Sequence, residues 1–242
     1  MFLSRTRHTI VYNMRKAIFE FGGFQKMLDE SEMRHLEDMM GFRGQWNEHR
    51  RFQFEFLKAM GLQSTSTLLE IGCGPLTAGL PVIAHINRGN YTGLDFRENV
   101  LNLAYRQIAK TELAAKNPRL ICSETLGREE LGDATFDFVL AFSVLYHLTD
   151  ALLDTCFEQV SRHLGPGGMF FANVNTEHPG GTWLQFPFQR RELDFYREAA
   201  ARSGMEMIDL GQLKDLGFRL GGVERLNNLL QFRLATQEQA RS

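Results

Sequence analysis

The residues best suited to chemistry lie in the segment TLLEIGCGPLTAG, where a short apolar run passes straight into Gly72, Cys73 and Gly74 and then into a second apolar stretch. A turn this tight wants residues without a β-carbon where the backbone approaches a ligand, and a helix starting behind it presents free N–H groups. About 20 residues later YTGLD ends in Asp95, where a carboxylate can accept hydrogen bonds from both hydroxyls of a ribose. Together these features point to an adenosine-containing ligand. Glu70 stands two residues before Gly72; its negative charge would repel a pyrophosphate and attract a cation. The G-x-G-x-x-G/A fingerprint of dinucleotide sites is also incomplete, since its last small position is Thr77. Both points favour a sulfonium amino acid over NAD.

Further candidates lie outside this loop. His147, in SVLYHL, carries the side chain that ordinarily titrates near neutral pH and suits a general base; the same position also suits a residue that packs on or caps the helix beginning near Asp150. Its neighbour Tyr146 is a weaker candidate for the acceptor side. Trp46, His49, Arg50 and Gln53 recur at helical spacing, giving one face an aromatic platform and hydrogen-bonding groups that suit a sugar or carboxylate. The loop NTEHPGGTWLQFPFQRR is long and rich in Gly, Pro and aromatic residues, as lids often are, and His178 and Trp183 are its candidates for facing an acceptor.

The elements that must position these residues alternate short apolar runs with longer amphipathic stretches, the signature of a parallel sheet with crossover helices. Strands are expected at Thr67 to Gly72, Asn90 to Asp95, Arg119 to Ser123, Phe136 to Phe142 and Gly168 to Asn175. Val100, Ala104 and Ile108 line one side of a helix between them, as do Leu153, Cys156, Phe157, Val160 and Leu164. Helices are expected from WNEHRRFQFEFLKAM, with Asn47 as cap and Gly61 as stop, and from Arg190 to Ser203. MEMIDLG and LNNLLQFRLAT then form an antiparallel hairpin at the sheet edge. The expected class is α/β: a Rossmann-like, doubly wound, seven-stranded, mostly parallel sheet occupying 46–242, preceded by a helical extension over 1–45.

In motif and element order, the stretch from Trp46 to Thr236 resembles the class I S-adenosylmethionine-dependent methyltransferases. LLEIGCGP resembles their glycine-rich first motif, YTGLD the acidic second, FDFVLAFSVLYHL the fourth-strand motif and LGPGGMFFANV the turn into the fifth strand. The resemblance implies S-adenosylmethionine as cofactor, with Gly72, Cys73 and Gly74 near its amino acid and ribose portions and Asp95 on the ribose hydroxyls. It also implies Phe96 beside the adenine, Glu124 or a neighbour near the adenine amino group, and Phe142 and Ser143 at the methionine end. Pro75-Leu76 replaces the family's more usual Thr/Ser-Gly, and SETLG departs from its usual Asp-Ala. The fourth strand lacks the Asn/Asp-Pro-Pro-Tyr/Phe segment that accompanies methylation of a nucleic-acid base or glutamine nitrogen. The resulting expectation is methyl transfer to a small polar or glycan-like acceptor, foremost at oxygen. The alternatives are a catalytically inactive cofactor-binding partner subunit and an NAD-dependent oxidoreductase.

Bulk properties bound these readings. Twenty-seven Lys plus Arg against 29 Asp plus Glu leave a formal charge of −2, with no global field to hold a nucleic acid. Cys73, Cys122 and Cys156 form no CxxC pair, which suggests neither a disulfide framework nor a metal site and suits a reducing cytoplasm. Cys122 and Cys156 sit in apolar patterns and read as small core residues. No apolar run reaches the roughly 20 residues that span a bilayer. Arg5, Arg7, Arg15 and Lys16 give the N-terminal stretch a basic face, read as a solvated helix surface, with weak contact to an anionic membrane as the alternative.

Overall fold

A computed structural model describes residues 45–236 except 128, 184–185 and 220–222. The expected helical extension and its basic face lie outside the described residues, apart from residue 45. In chain order the elements are α1 (Trp46–Ala59), β1 (Leu68–Ile71), α2 (Gly79–His85), β2 (Tyr91–Asp95), α3 (Glu98–Lys110), β3 (Arg119–Cys122) and β4 (Phe136–Ala141). There follow α4 (Asp150–His163), β5 (Leu164–Val174), β6 (Gly181–Trp183), β7 (Phe186–Phe188), α5 (Leu193–Arg202), β8 (Met205–Gln212) and β9 (Asn228–Leu234).

Seven strands form one sheet in the order β3-β2-β1-β4-β5-β9-β8. β9 runs antiparallel to both β5 and β8, whereas the pairings from β3 through β5 are all parallel. The expected terminal hairpin is therefore present, with β8 at the edge and β9 one place inside it. The strand order reverses between β1 and β4, and ligands of open α/β sheets bind in the crevice beyond the carboxyl ends of strands at such a point.

Period-two alternation divides the core between the two faces of the sheet. Leu68, Phe138, Leu140 and Phe171 pack with Phe52, Phe56 and Leu57 of α1, Val82 and Ile83 of α2, and Leu101 and Ala104 of α3. Leu69, Ile71, Val139, Ala141, Phe170 and Ala172 pack on the other face with Leu153, Phe157 and Val160 of α4 and Tyr196, Ala199 and Ala200 of α5.

Three local expectations are corrected. α1 starts at Trp46 with Gln45 as its cap residue and no side-chain cap, so Asn47 lies within the first turn rather than before it. Leu164 opens β5 instead of closing α4, whose cap is Thr149: its hydroxyl accepts a hydrogen bond from Leu152 N. Cys122 is exposed, because β3 is an edge strand with one face open, and its thiol contacts the Phe96 carbonyl. Among the described residues no helix is long and apolar enough to cross a membrane, and no His, Cys, Asp and Glu side chains group as metal ligands.

Candidate active site

The carboxyl ends of β1, β2 and β4 open into a cavity of about 770 Å3. β1 delivers Glu70 and the turn Gly72, Cys73, Gly74; β2 delivers Asp95 followed by Phe96 and Arg97; the turn after β3 delivers Ser123 and Glu124; the segment after β4 delivers Phe142, Ser143, Val144, Tyr146 and His147. Every cofactor-side residue singled out by the sequence lines this one space.

The glycine turn is built by backbone conformation. Gly72 and Gly74 both have positive φ, 69° and 52°, a region that costs residues with a β-carbon. A β-carbon on Gly72 would also lie 2.5 Å from Val144 Cγ2. Leu76, where the related motif usually has glycine, adopts φ 66° although it is a leucine, and its side chain is wholly buried among core residues. The strain of the left-handed conformation is thus offset by apolar burial. Ser143, which also lines the cavity, has φ 59° and donates its backbone N–H to Asn173 Oδ1 at 2.5 Å.

Asp95 is nearly buried and saturated with donors. Oδ2 accepts from Gly74 N at 3.0 Å and from Arg97 Nη2 at 3.3 Å; Oδ1 accepts from Arg97 N at 3.0 Å and Arg97 Nε at 3.1 Å. The Arg97 guanidinium lies 5.7 Å from the centre of the Phe96 ring and 5.9 Å from that of Phe186. Sequence reasoning passed over Arg97, since an arginine beyond a strand end carries no motif signal of its own.

Glu70 Oε2 accepts a 2.5 Å hydrogen bond from the Tyr91 hydroxyl. Burial pushes the Glu70 carboxyl up to about 8; the Tyr91 bond opposes the shift and the neighbouring Asp95 charge adds to it. At neutral pH the protonated form of Glu70 therefore predominates, which modifies the expectation of a standing negative charge. Burial, then the charges of Glu70 and Asp95, likewise push the Cys73 thiol up, so it stays protonated and serves as a small wall residue.

The long loop after β5 forms the β6–β7 hairpin, whose Phe186, Pro187 and Phe188 line the cavity. Phe186 meets Phe96 edge-on at 5.8 Å, and Phe188 meets Tyr146 at 5.0 Å. His147 Nδ1 lies 2.6 Å from the Pro187 carbonyl. A carbonyl only accepts, so Nδ1 carries the hydrogen, and the neutral ring then has its basic lone pair on Nε2. Just beyond the hairpin, Arg191 donates to Asp150 at 2.6 Å and to the Leu148 carbonyl at 2.7 Å, tying the loop to the segment after β4.

On the acceptor side the expected platform on α1 is divided. His49 and Gln53 line the cavity, and His49 packs edge-on against Phe142 at 5.9 Å and Phe218 at 5.0 Å. Trp46 and Arg50 do not line it; both are buried. Arg50 donates to the Thr77 carbonyl at 3.1 Å and to Gln107 Oε1 at 3.2 Å, while Gln107 Nε2 donates to the Pro75 carbonyl. Arg50 turns toward the glycine loop and braces it, with its guanidinium 5.5 Å from the centre of the Trp46 ring, so neither side chain stands on the cavity wall where the acceptor side was expected. His178 also lies off the cavity; its backbone N–H and carbonyl close a turn with the Asn175 side chain. Trp183 has its backbone in β6, and its side chain falls outside the described residues.

Residues 69–170 match the family of methyltransferase domains. An uncharacterized methyltransferase of Schizosaccharomyces pombe is 30% identical over 112 residues, 44% of this chain and 39% of that protein. The fold is similar to that of an S-adenosylmethionine-dependent methyltransferase from Clostridium acetobutylicum, with a TM-score of 0.61 at 13% identity over 85% of this chain and 99% of the other. It is similar also to the glycopeptide N-methyltransferase MtfA complexed with S-adenosylmethionine, with a TM-score of 0.59 at 16% identity over 78% and 94% of the two chains. The chain spans about half the length, or less, of the curated relatives it matches.

Proposed function

We propose that this chain, which belongs to the class I superfamily of S-adenosylmethionine-dependent methyltransferases, transfers the methyl group of that cofactor to an oxygen of a small polar or glycan-like acceptor. The observation that carries this reading is the convergence of Glu70, the Gly72 to Gly74 turn, Asp95 and His147 on one cavity of about 770 Å3. Sites of roughly 300–1,000 Å3 are usual for small molecules, so cofactor and a small acceptor fit together.

The residues suit the cofactor on three counts. Asp95 offers a buried carboxylate to the two ribose hydroxyls once the Arg97 side chain gives way. Phe96, half exposed at the cavity rim, offers a face to adenine, with Glu124 nearby for its amino group. Glu70 is a buried acid whose carboxyl is raised to about 8 by burial, and a sulfonium beside it would favour its ionised form. Bound there, S-adenosylmethionine supplies a methyl group on a positively charged sulfur that departs as a neutral thioether.

What remains for the protein is orientation and removal of a proton from the acceptor. Pro187 fixes the His147 tautomer, and His147 Nε2 accepts the hydroxyl proton of the acceptor. The hairpin residues Phe186, Pro187 and Phe188 roof the space and limit its water. Calorimetric titration with S-adenosylmethionine, S-adenosylhomocysteine and NAD, each alone, tests the reading. Micromolar binding of the first two and not the third, about −8 kcal/mol, is expected. Binding of NAD alone overturns it in favour of an oxidoreductase.

A further inference from the structure

The general base of the proposed reaction depends on a meeting of two segments that are distant in sequence. His147 ends a short 3-10 turn, Leu145–His147, after β4, and the carbonyl 2.6 Å from its Nδ1 belongs to Pro187 in β7. Neither segment is rigid by itself. A 3-10 turn of three residues is short and weakly bonded, and an isolated two-stranded hairpin is marginal in water. The contact therefore needs groups that hold the hairpin against the turn, and two buried polar side chains outside the cavity supply them.

Asn175 follows β5 and is wholly buried. Its Oδ1 accepts from His178 N at 2.9 Å, and its Nδ2 donates to the His178 carbonyl at 2.8 Å and the Gln189 carbonyl at 3.3 Å. One amide thus joins the two feet of the hairpin loop. The Asn175 backbone carbonyl accepts from Arg191 N at 3.1 Å, while Gln189 N donates to the Tyr146 carbonyl at 2.8 Å. Arg191, whose side chain is 6% exposed, reaches the other way. Its guanidinium donates to the Leu145 carbonyl at 3.4 Å, the Leu148 carbonyl at 2.7 Å and Asp150 Oδ1 at 2.6 Å, acceptors that bracket His147 in sequence. Burying an asparagine and an arginine is costly unless their donors are met, and here the acceptors lie at the feet of the hairpin and on either side of His147.

We propose that Asn175 and Arg191 are positioning residues for His147: together they clamp the β6–β7 hairpin to the turn after β4, which keeps the ring hydrogen on Nδ1, against Pro187, and the lone pair on Nε2. The inference deepens the methyltransferase reading and rests on His147 as its base. The tautomer of a neutral imidazole is set by the hydrogen bonds its two nitrogens find. Without a carbonyl at Nδ1 the ring relaxes toward the form with hydrogen on Nε2, the favoured one in water, and that form offers an acceptor hydroxyl no lone pair there. Neither clamp residue lines the cavity, so a change in either leaves the cofactor's seat in place. Asn175→Asp keeps the shape but sets an oxygen against the His178 and Gln189 carbonyls. Arg191→Lys keeps the charge, but a single nitrogen cannot span Leu145, Leu148 and Asp150 as the guanidinium fork does.

The test reads the His147 ring itself, by long-range proton–nitrogen NMR correlation in the full-length protein carrying nitrogen-15 histidine, at about pH 8.5, where an ordinary imidazole is neutral. His147 is assigned by its loss in His147→Gln. His163, whose Nδ1 lies 2.7 Å from the Ala134 carbonyl before β4, serves as an internal reference for the fold at large. Wild type is expected to show hydrogen on Nδ1 at both rings. Asn175→Asp and Arg191→Lys should each turn His147 toward the Nε2–H form, with His163 unchanged and S-adenosylhomocysteine affinity within about twofold of wild type. An Nε2–H ring at His147 in wild type, or an Nδ1–H ring there in both variants, overturns the proposal. An equal change at His163 does so too, because the two residues would then be general stabilisers of the fold. Should one variant fail to fold, the other decides. A wild type that does not take S-adenosylhomocysteine fails the methyltransferase reading, and unchanged turnover in His147→Ala fails the base; both are read apart from the tautomer.

Discussion

Removing the Arg97 side chain is expected to tighten cofactor binding. A carboxylate has room for about four hydrogen bonds, and Asp95 already accepts from Gly74 N, Arg97 N, Arg97 Nε and Arg97 Nη2. The two backbone donors are fixed by the chain, whereas the guanidinium donors belong to a movable side chain, so two ribose hydroxyls compete with the latter pair. Hydrogen bonds to a charged group are worth about 1.5–3 kcal/mol each, but most of that is returned when one donor replaces another. The Arg97 side chain is 23% exposed, so its displaced head regains water. Screening and rehydration leave a net opposition of about 1–2 kcal/mol, and Arg97→Ala should therefore bind S-adenosylhomocysteine about 5- to 30-fold more tightly. The free variant should melt lower, because the ion pair and the contacts with Phe96 and Phe186 are lost. Calorimetry on wild type and Arg97→Ala decides, with Asp95→Ala, weakened by about 1–3 kcal/mol, as the reference for a lost ribose contact. Unchanged or weaker binding by Arg97→Ala would refute the competition, since the arginine would then remain on Asp95 or act on the ligand itself.

With the Glu70 carboxyl raised to about 8, the folded protein holds a proton that the unfolded chain releases near the ordinary 4.5, so stability falls as pH rises between those values. Glu70→Gln should accordingly gain in melting temperature over wild type at pH 8 and lose that advantage toward pH 5, while a gap independent of pH would contradict the assignment. Cofactor binding near pH 7 should release up to about one proton as Glu70 ionises against the cation, seen as a dependence of calorimetric heat on the buffer's ionisation enthalpy. His147→Ala should lower turnover by about 100-fold with little change in cofactor affinity, and wild-type turnover in that variant would return His147 to a packing role. At position 76 glycine should be more stable than alanine by about 1 kcal/mol, the reverse of the usual order, because the backbone is left-handed there; equal or inverted denaturant midpoints for Leu76→Gly and Leu76→Ala would remove the strain argument.

Much of the sheet was legible because its inner strands β1, β2 and β4 are largely buried on both faces and read as apolar runs, and each of the five expected strands coincides with one found, within a few residues at the ends. That the residues expected around the cofactor would converge on one cavity was equally legible, since Gly72, Gly74 and Asp95 owe their types to backbone conformation and hydrogen-bond chemistry fixed near the chain itself. The acceptor half was not. Helical spacing puts Trp46, His49, Arg50 and Gln53 within reach of one another but leaves open which of them turns toward ligand and which toward the glycine loop, and only packing against Thr77 and Gln107 decides that for Arg50. Arg97 acquires its place from a contact 2 residues away in sequence, which leaves no periodic signature. Cys122 misled because an apolar pattern does not distinguish an inner strand from the edge strand β3.

The position of β9 bears on how the molecule comes to be made. Its strand is added between β5 and β8, so β8 has no neighbour in the sheet until Asn228–Leu234 arrive. As the chain emerges from the ribosome, the parallel strands β1 to β5 can gather around the cofactor end while the open flank of β5 still presents an unpaired edge, the kind of surface that invites pairing with the wrong chain. Closure pairs β9 with β5 in one act and draws Asn227 to the cavity wall. The cavity wall at the entry to β9 is thus completed only when this strand pairs.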